Sequence, residues 1–382
     1  MPKPTDHKPS SLAVNTDRAF INCLLDHGAL SRASIATMTG ISKPTVSEST
    51  QRLLARQVIT ECKAKDTQSA KRPSILYELN KQRGGSLAIA LDDVSTQFCL
   101  WDLQGNERLT RYLPYPKNRK ATTYINDLLN AITMLIQESG LPVLAIGLSI
   151  ADPIHPKDGS VIKMPNSPFP VAQEIDFIKQ LVDVFQCSVV IDNDVNWATL
   201  SEQKTTQMDN FIYVFLGRGI GCGLFFEHSL IRGHNGMAGE IGYVTLSNGK
   251  NLLEDIYKDS FINNVFKKPP QIEKQHLNSI AEAIRIISQV THPKTLVLGG
   301  QLITQPTFYH ALTQILSEAL PATNIKISQA PDNASIVGAA DGAYKLALLS
   351  LGLIDDQCRS QFGFHTIQSR SEQEAIYATG SN

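Results

Sequence analysis

Apolar positions recur with a helical period at the start of the chain. Ile21, Leu24 and Leu25 share one face of a helix over 17–27, which Gly28 closes. A second helix starts at Ser31, carries Ile35 and Ala36 inward and stops at Gly40. A third starts at Ser42, with Pro44 in its first turn and Val46, Leu53 and Leu54 at i, i+7 and i+8. Three helices in under forty residues, the last two joined by a tight glycine turn, predict a helix-turn-helix. Two strand-like runs follow, Val58–Cys62 and Ser74–Leu79, separated by a basic polar stretch, which is the pattern of a winged helix.

From Ser86 the grammar changes to alternating strands and helices. Strands are expected at Leu87–Leu91, Phe98–Asp102, Val143–Ser149, Ser188–Ile191, Phe211–Leu216, Gly223–Phe226 and Leu296–Leu298. A strand-turn-strand-turn-strand pattern occurs twice, at 86–113 and 211–233, which suggests two lobes facing a cleft. The expected organisation is a flexible arm (1–15), a winged helix-turn-helix (16–80), a linker (81–85), an α/β body (86–350) and a C-terminal tail (351–382).

Charge and composition narrow the classes. The net charge is −1, yet residues 1–80 carry four more Lys and Arg than Asp and Glu, so the basic excess sits with the helix-turn-helix. With 42% hydrophobic and 19% charged residues, no bilayer-length apolar run and no secretion signal, the chain reads as cytoplasmic, without membrane insertion. The six cysteines are scattered with no CxxC pair, against a disulfide framework or a cysteine-rich zinc site.

A recognition helix must present short polar and basic side chains at its N-terminal end. Ser42, Lys43, Thr45 and Ser47 meet that need, Arg52 lies further along, and Lys71 and Arg72 in the wing suit phosphate or minor-groove contact. Double-stranded operator DNA is therefore the expected partner. Because such heads read paired half-sites, a homodimer or homotetramer is expected.

Several segments, GRGIGCGLFFEHSLIRGHNGMAGEIGY (217–243), IDNDVNWATLSE (191–202), LVLGGQL (296–302) and SIVGAADGA (335–343), occur in an order that resembles the ROK family of repressors and sugar kinases, in its winged-helix repressor branch. The resemblance implies a two-lobed, actin-like or ribonuclease H-like sugar-kinase-type ATPase fold behind the DNA-binding head. It implies that Asn166, Asn193, Asp194, Glu240 and Glu254 hold sugar hydroxyls, with Tyr243 at a position where the family has histidine. Asp194 resembles the base of the kinases, here vestigial; the alternative is that Asn193 or Asp194 simply caps a helix that begins near Val195. The glycines of Gly-x-Gly-x-Gly-x-Gly at 217–223 allow a turn close to a ligand, or only a tight hairpin.

The chain departs from the family where phosphates would bind. The matching loop reads Asp92-Asp93-Val94-Ser95-Thr96, with Val94 and Ser95 in place of glycines, so kinase activity is not expected. Where the family carries zinc-binding cysteines stand Thr245, Ser247 and Leu252, so no cofactor and no structural zinc is expected, and burial of Leu246, Leu252 and Leu253 would pin the loop instead. The function implied is a repressor of carbohydrate genes controlled by a sugar or sugar phosphate. A sugar kinase with a DNA-binding head, or a repressor controlled by a protein of sugar transport, are the alternatives.

Overall fold

The computed structural model describes residues 10–63, 75–92, 95–114, 120–165, 167, 169–256, 261–355 and 363–366. Helices α1 (Ser11–His27), α2 (Arg32–Thr39) and α3 (Lys43–Ala55) precede an antiparallel hairpin of β1 (Ile59–Lys63) and β2 (Ile75–Leu79). Ser10, Ser31 and Ser42 each accept a hydrogen bond from the backbone N–H three residues on, supplying one of the donors that a helix start leaves unmatched. Gly40 ends α2 at φ 70°, a conformation open to glycine, and this lets α3 turn back across α2. Phe20, Ile21, Leu24, Ile35, Val46, Leu53, Tyr77 and Leu79 fill the core of this head.

The helix starts earlier than the apolar period indicated. Residues 11–15, expected in a mobile arm, belong to α1, because the Ser10 cap and the burial of Thr16 and Asp17 extend it.

The body holds two sheets. The first has the order β13-β7-β6-β3-β4-β5, built from β3 (Gly85–Leu91), β4 (Ser95–Asp102), β5 (Glu107–Pro114), β6 (Val143–Ile150), β7 (Ser188–Asn193) and β13 (Phe364–Thr366). The second has the order β10-β9-β8-β11-β12, built from β8 (Asn210–Leu216), β9 (Ile220–Phe226), β10 (Ser229–Ile231), β11 (Thr295–Gly299) and β12 (Asn324–Ile327). Each contains one antiparallel meander, β3–β4–β5 or β8–β9–β10, joined to parallel strands. The run VLAIGLSI of β6 is almost wholly buried, as expected of a parallel strand covered on both faces.

Between the sheets run α6 (Asp194–Thr206) and α11 (Ala334–Ser350), packed unusually close. A Cβ on Gly338 would lie 2.2 Å from the Trp197 carbonyl oxygen, and one on Gly147 2.3 Å from that of Ala339. The Trp197 indole donates to the Leu148 carbonyl at 2.9 Å, tying α6 to β6.

Head and body share one continuous apolar cluster, in which Phe20 and Leu53 are joined to Leu346, Leu348 and Leu349 of α11 and to Leu351 and Leu353 beyond it. The Arg56 guanidinium donates to the Leu351 carbonyl, the Gln104 amide to the Leu79 carbonyl at 2.7 Å, and Arg18 pairs with Asp355.

Two sequence-based boundaries need correcting here. Gly84 and Gly85, expected in a linker, are buried, and Gly85 opens β3. A Cβ on Gly84 would meet Leu144 at 2.6 Å and one on Gly85 the Trp101 carbonyl oxygen at 2.3 Å, so these glycines serve close packing, not flexibility. The region from 351 onward, expected to be a tail, contributes buried Leu351 and Leu353, and Phe364–Thr366 pairs antiparallel with β7.

Candidate functional site

A cleft of about 1620 Å³ is lined by both sheets of the body, by the first turns of α6 and α11, and by Gly236, Ala238, Glu240 and Tyr243. Asn193, Asp194, Glu240, Tyr243 and Glu254 all line it. Asn166, Val94, Lys71 and Arg72 lie outside the described residues.

Asn193 and Asp194 stand where β7 turns into α6. The Asn193 side-chain oxygen accepts from the Val195 and Asn196 N–H groups at 2.9 and 3.3 Å, and its amide faces the Ile150 and Ala151 carbonyls. Asn193 is therefore the helix cap, and its polar atoms are spent on backbone. Asp194 accepts from the Val195 N–H at 2.7 Å and lines the cleft. Burial, reinforced by the charges of Asp152 and Asp92, pushes this carboxyl up to about 7.

Glu240 is held by backbone geometry. Gly239 sits at φ 88° against β9, where a Cβ would come within 1.9 Å of the Cys222 carbonyl oxygen, so only glycine lets the chain press this close. Burial, then the charges of Asp194 and Asp152, push the Glu240 carboxyl up to about 7 as well. Glu254 departs from its expected role. It is exposed, and with Asn251 it forms a reciprocal cap on α7 (Leu252–Ile256), Asn251 accepting from the Glu254 N–H at 2.8 Å, so it marks the rim.

The sequence reading passed over Asp152, which follows β6 in the segment Ala151-Asp152-Pro153. It is 2% exposed, lines the same cleft, and through Oδ2 accepts from the Ser167 hydroxyl at 2.6 Å and the Gln173 amide at 3.3 Å. Burial raises its carboxyl too, against those two hydrogen bonds. The available signal was an aspartate placed immediately after an apolar strand.

The glycine run divides by task. Gly217 and Gly219 form the tip between β8 and β9, whereas Gly221 and Gly223 lie under α6, where added Cβ atoms would come within 2.6 Å of Val195 and 1.8 Å of the Thr199 hydroxyl. Half of the motif is thus a packing device. Where the phosphate loop was expected, Asp92 closes on Ser95, accepting its N–H at 2.7 Å and donating its own to the Ser95 carbonyl at 3.1 Å. Leu246 and Leu252 are buried in the core of the second sheet, and Ser247 is tied to Glu282 through its N–H and hydroxyl. No group of three His, Cys, Asp or Glu side chains among the described residues is placed to hold a metal ion.

In the head, α3 presents Lys43, Glu48 and Gln51 outward, with Ser47 half-buried beside them. Gln51, one turn on from Ser47 and exposed on the same face, was not among the residues expected there. Ser42 and Thr45 are joined through their hydroxyls at 2.8 Å, and Ser42 caps the helix. Arg52 does not join this face. It pairs with buried Asp17 at 2.7 Å, and Ser49 donates to the same carboxylate at 2.5 Å, so Arg52 fastens α3 to α1.

Fold and cleft together define a winged helix-turn-helix seated on a two-lobed, sugar-kinase-type body. The chain carries a ROK family domain behind that head. The ROK family profile matches residues 87–265, and a winged helix-turn-helix DNA-binding profile matches residues 15–60. The chain is 28% identical over 228 residues to the Xylose repressor of Bacillus subtilis, a stretch covering 58% of each chain. It is 24% identical to the DNA-binding transcriptional dual regulator NagC of Escherichia coli, over 61% of this chain and 58% of that one. The matched stretch is thus under three fifths of each relative's length. A ROK family transcriptional regulator described as a homolog of the E. coli MLC protein superposes with a TM-score of 0.63 at 16% identity, covering 89% of this chain and 98% of that one. The ROK hexokinase of Thermus thermophilus gives 0.52 at 19% identity, covering 68% and 98%. These two likenesses concern the fold.

Proposed function

We propose that this protein is a transcriptional repressor of carbohydrate genes, acting in the cytoplasm, whose DNA affinity is set by a sugar bound in the cleft. The observation that carries this reading is the path of α11. Its first turn, with Ser335 and Ile336, lines the cleft, and its last turn lies in the same apolar cluster as the head. Closing the lobes around a ligand moves a rigid rod whose far end seats the DNA-binding helices. For this to regulate, the sugar must bind one lobe arrangement better than the other.

Lys43, Ser47 and Gln51 on α3 would face the major groove, and two heads in a homodimer would read two half-sites. No helix among the described residues is long and apolar enough to cross a membrane. The test is fluorescence anisotropy on fragments upstream of the protein's own gene and neighbouring sugar genes, with and without a panel of aldoses. A saturable preference for one fragment, weakened by one sugar class, is expected; equal affinity for random duplex would overturn the reading.

The fold shared with a hexokinase makes phosphorylation the second reading. The turn that Asp92 closes onto Ser95, with side chains where phosphates need bare backbone, speaks against it. Nucleotide consumption with the same sugars is expected to stay at background.

A further inference from the structure

Asp152, Asp194 and Glu240 face one end of the cleft from three elements, and each carboxyl is under-supplied with donors. Among the described residues, Asp152 accepts through Oδ2 alone, Asp194 accepts from backbone N–H at the start of its own helix, and no donor reaches the Glu240 carboxyl. No Lys, Arg or His among the described residues pairs with any of the three; the charges that act on Asp194 and Glu240 are other carboxylates. In the same cleft wall, the hydroxyl of Ser149, a residue 1% exposed, has no hydrogen-bond partner among the described residues. A buried hydroxyl left unmatched costs about 1–3 kcal/mol, which a ligand hydroxyl or amine would recover.

The three carboxylates do not form a metal-holding group. The occupant must therefore be larger than a bare cation, must bring hydrogen-bond donors, and gains from bringing positive charge. A phosphate would meet like charge at this end. Resting on the reading of the cleft as a sugar site, we infer that the effector is an aldose carrying a free, protonated amine, whose ammonium group sits among Asp152, Asp194 and Glu240 while its hydroxyls reach Ser149.

The test is isothermal titration calorimetry on the full chain at about pH 7. Glucosamine, galactosamine and mannosamine are compared with their neutral parents, their N-acetyl derivatives and their 6-phosphates, and with ethanolamine, which has the charge without the ring. One amino sugar is expected to bind about tenfold to a hundredfold tighter than its neutral parent, the range of a charge-assisted hydrogen bond. Asp152→Asn should erase most of that preference, so that in the variant the amino sugar and its neutral parent bind with similar affinity. Should Asp152→Asn fail to fold, Glu240→Gln reads the same quantity at a position with no protein hydrogen bond to lose. Equal or tighter binding of the neutral, acetylated or phosphorylated form overturns the inference but leaves the sugar site standing. Ethanolamine binding as well as the amino sugars overturns the role of the ring, and absence of binding by every sugar overturns both the inference and the sugar site.

Discussion

Asp17 in the head and Glu240 in the cleft are both carboxylates removed from bulk water, and their surroundings are opposite. Asp17 is answered by Arg52 and Ser49, so its charge is neutralised within the fold and its geometry fixed. Glu240 has no donor among the described residues and faces two further carboxylates, so its charged form is disfavoured until something else arrives. The difference teaches that a matched buried acid holds helices together, whereas an unmatched one in a cleft marks where a ligand belongs.

The comparison can be broken most forcefully at the unmatched site. Replacing Asp194 by Asn and Glu240 by Gln together is expected to weaken effector binding at least about a hundredfold, close to 2.7 kcal/mol, with the chain still folded by circular dichroism. Retention of the sugar response by the double variant would place the site elsewhere.

At the matched site, Arg52→Ala strands the Asp17 charge against α3. Because Arg52 is partly exposed, the loss should be about 2 kcal/mol rather than the larger penalty of a fully buried pair, read by denaturant unfolding, with operator binding falling in step. Arg52→Ala binding operator weakly while keeping full stability would restore Arg52 to the DNA face.

The pH dependence sharpens the contrast further. The Glu240 carboxyl lies near 7 in the folded chain against an ordinary value of 4.5, so the folded state keeps a proton that the unfolded state releases. This group therefore lowers stability as pH rises from about 4.5 to 7, and its cost is fully present above 7. Glu240→Gln should be more stable than the parent by about 1 kcal/mol at pH 8, after discounting for solvent in the cleft, and equal to it near pH 4. Thermal melts across that range check the sign.

Smaller still is the effect of Lys43→Ala, which should weaken every DNA fragment alike and reduce the salt slope of binding by about 1, as loss of one phosphate contact requires. The smallest concerns metal. We expect no tightly held zinc in the 243–252 loop, so a strong chelator should leave the melting temperature unchanged, and metal analysis showing one zinc per chain would contradict this.

Much of the fold was legible from pattern. The three head helices, the hairpin strands and the main body strands carry their periods and caps locally, and serines before helices and glycines after them mark the ends. What escaped was non-local. Arg52 looks like a DNA contact because basic residues on α3 suit phosphates, and only the packing of α1 across α3 shows that Asp17 claims it. Gly84, Gly85, Gly221 and Gly223 read as flexible or ligand-facing, yet each makes room for a neighbour brought from elsewhere in the chain.

The sequence alone settled the three head helices, the hairpin, most of the body strands and which family the chain resembles, because period, capping and motif order are encoded over short stretches. Tertiary structure alone decided which polar groups are answered and which are left open. Asp152, Asp194 and Glu240 come from three elements separated by dozens of residues, and a carboxylate's partners depend on what folding brings within a few ångströms of it, not on its neighbours along the chain.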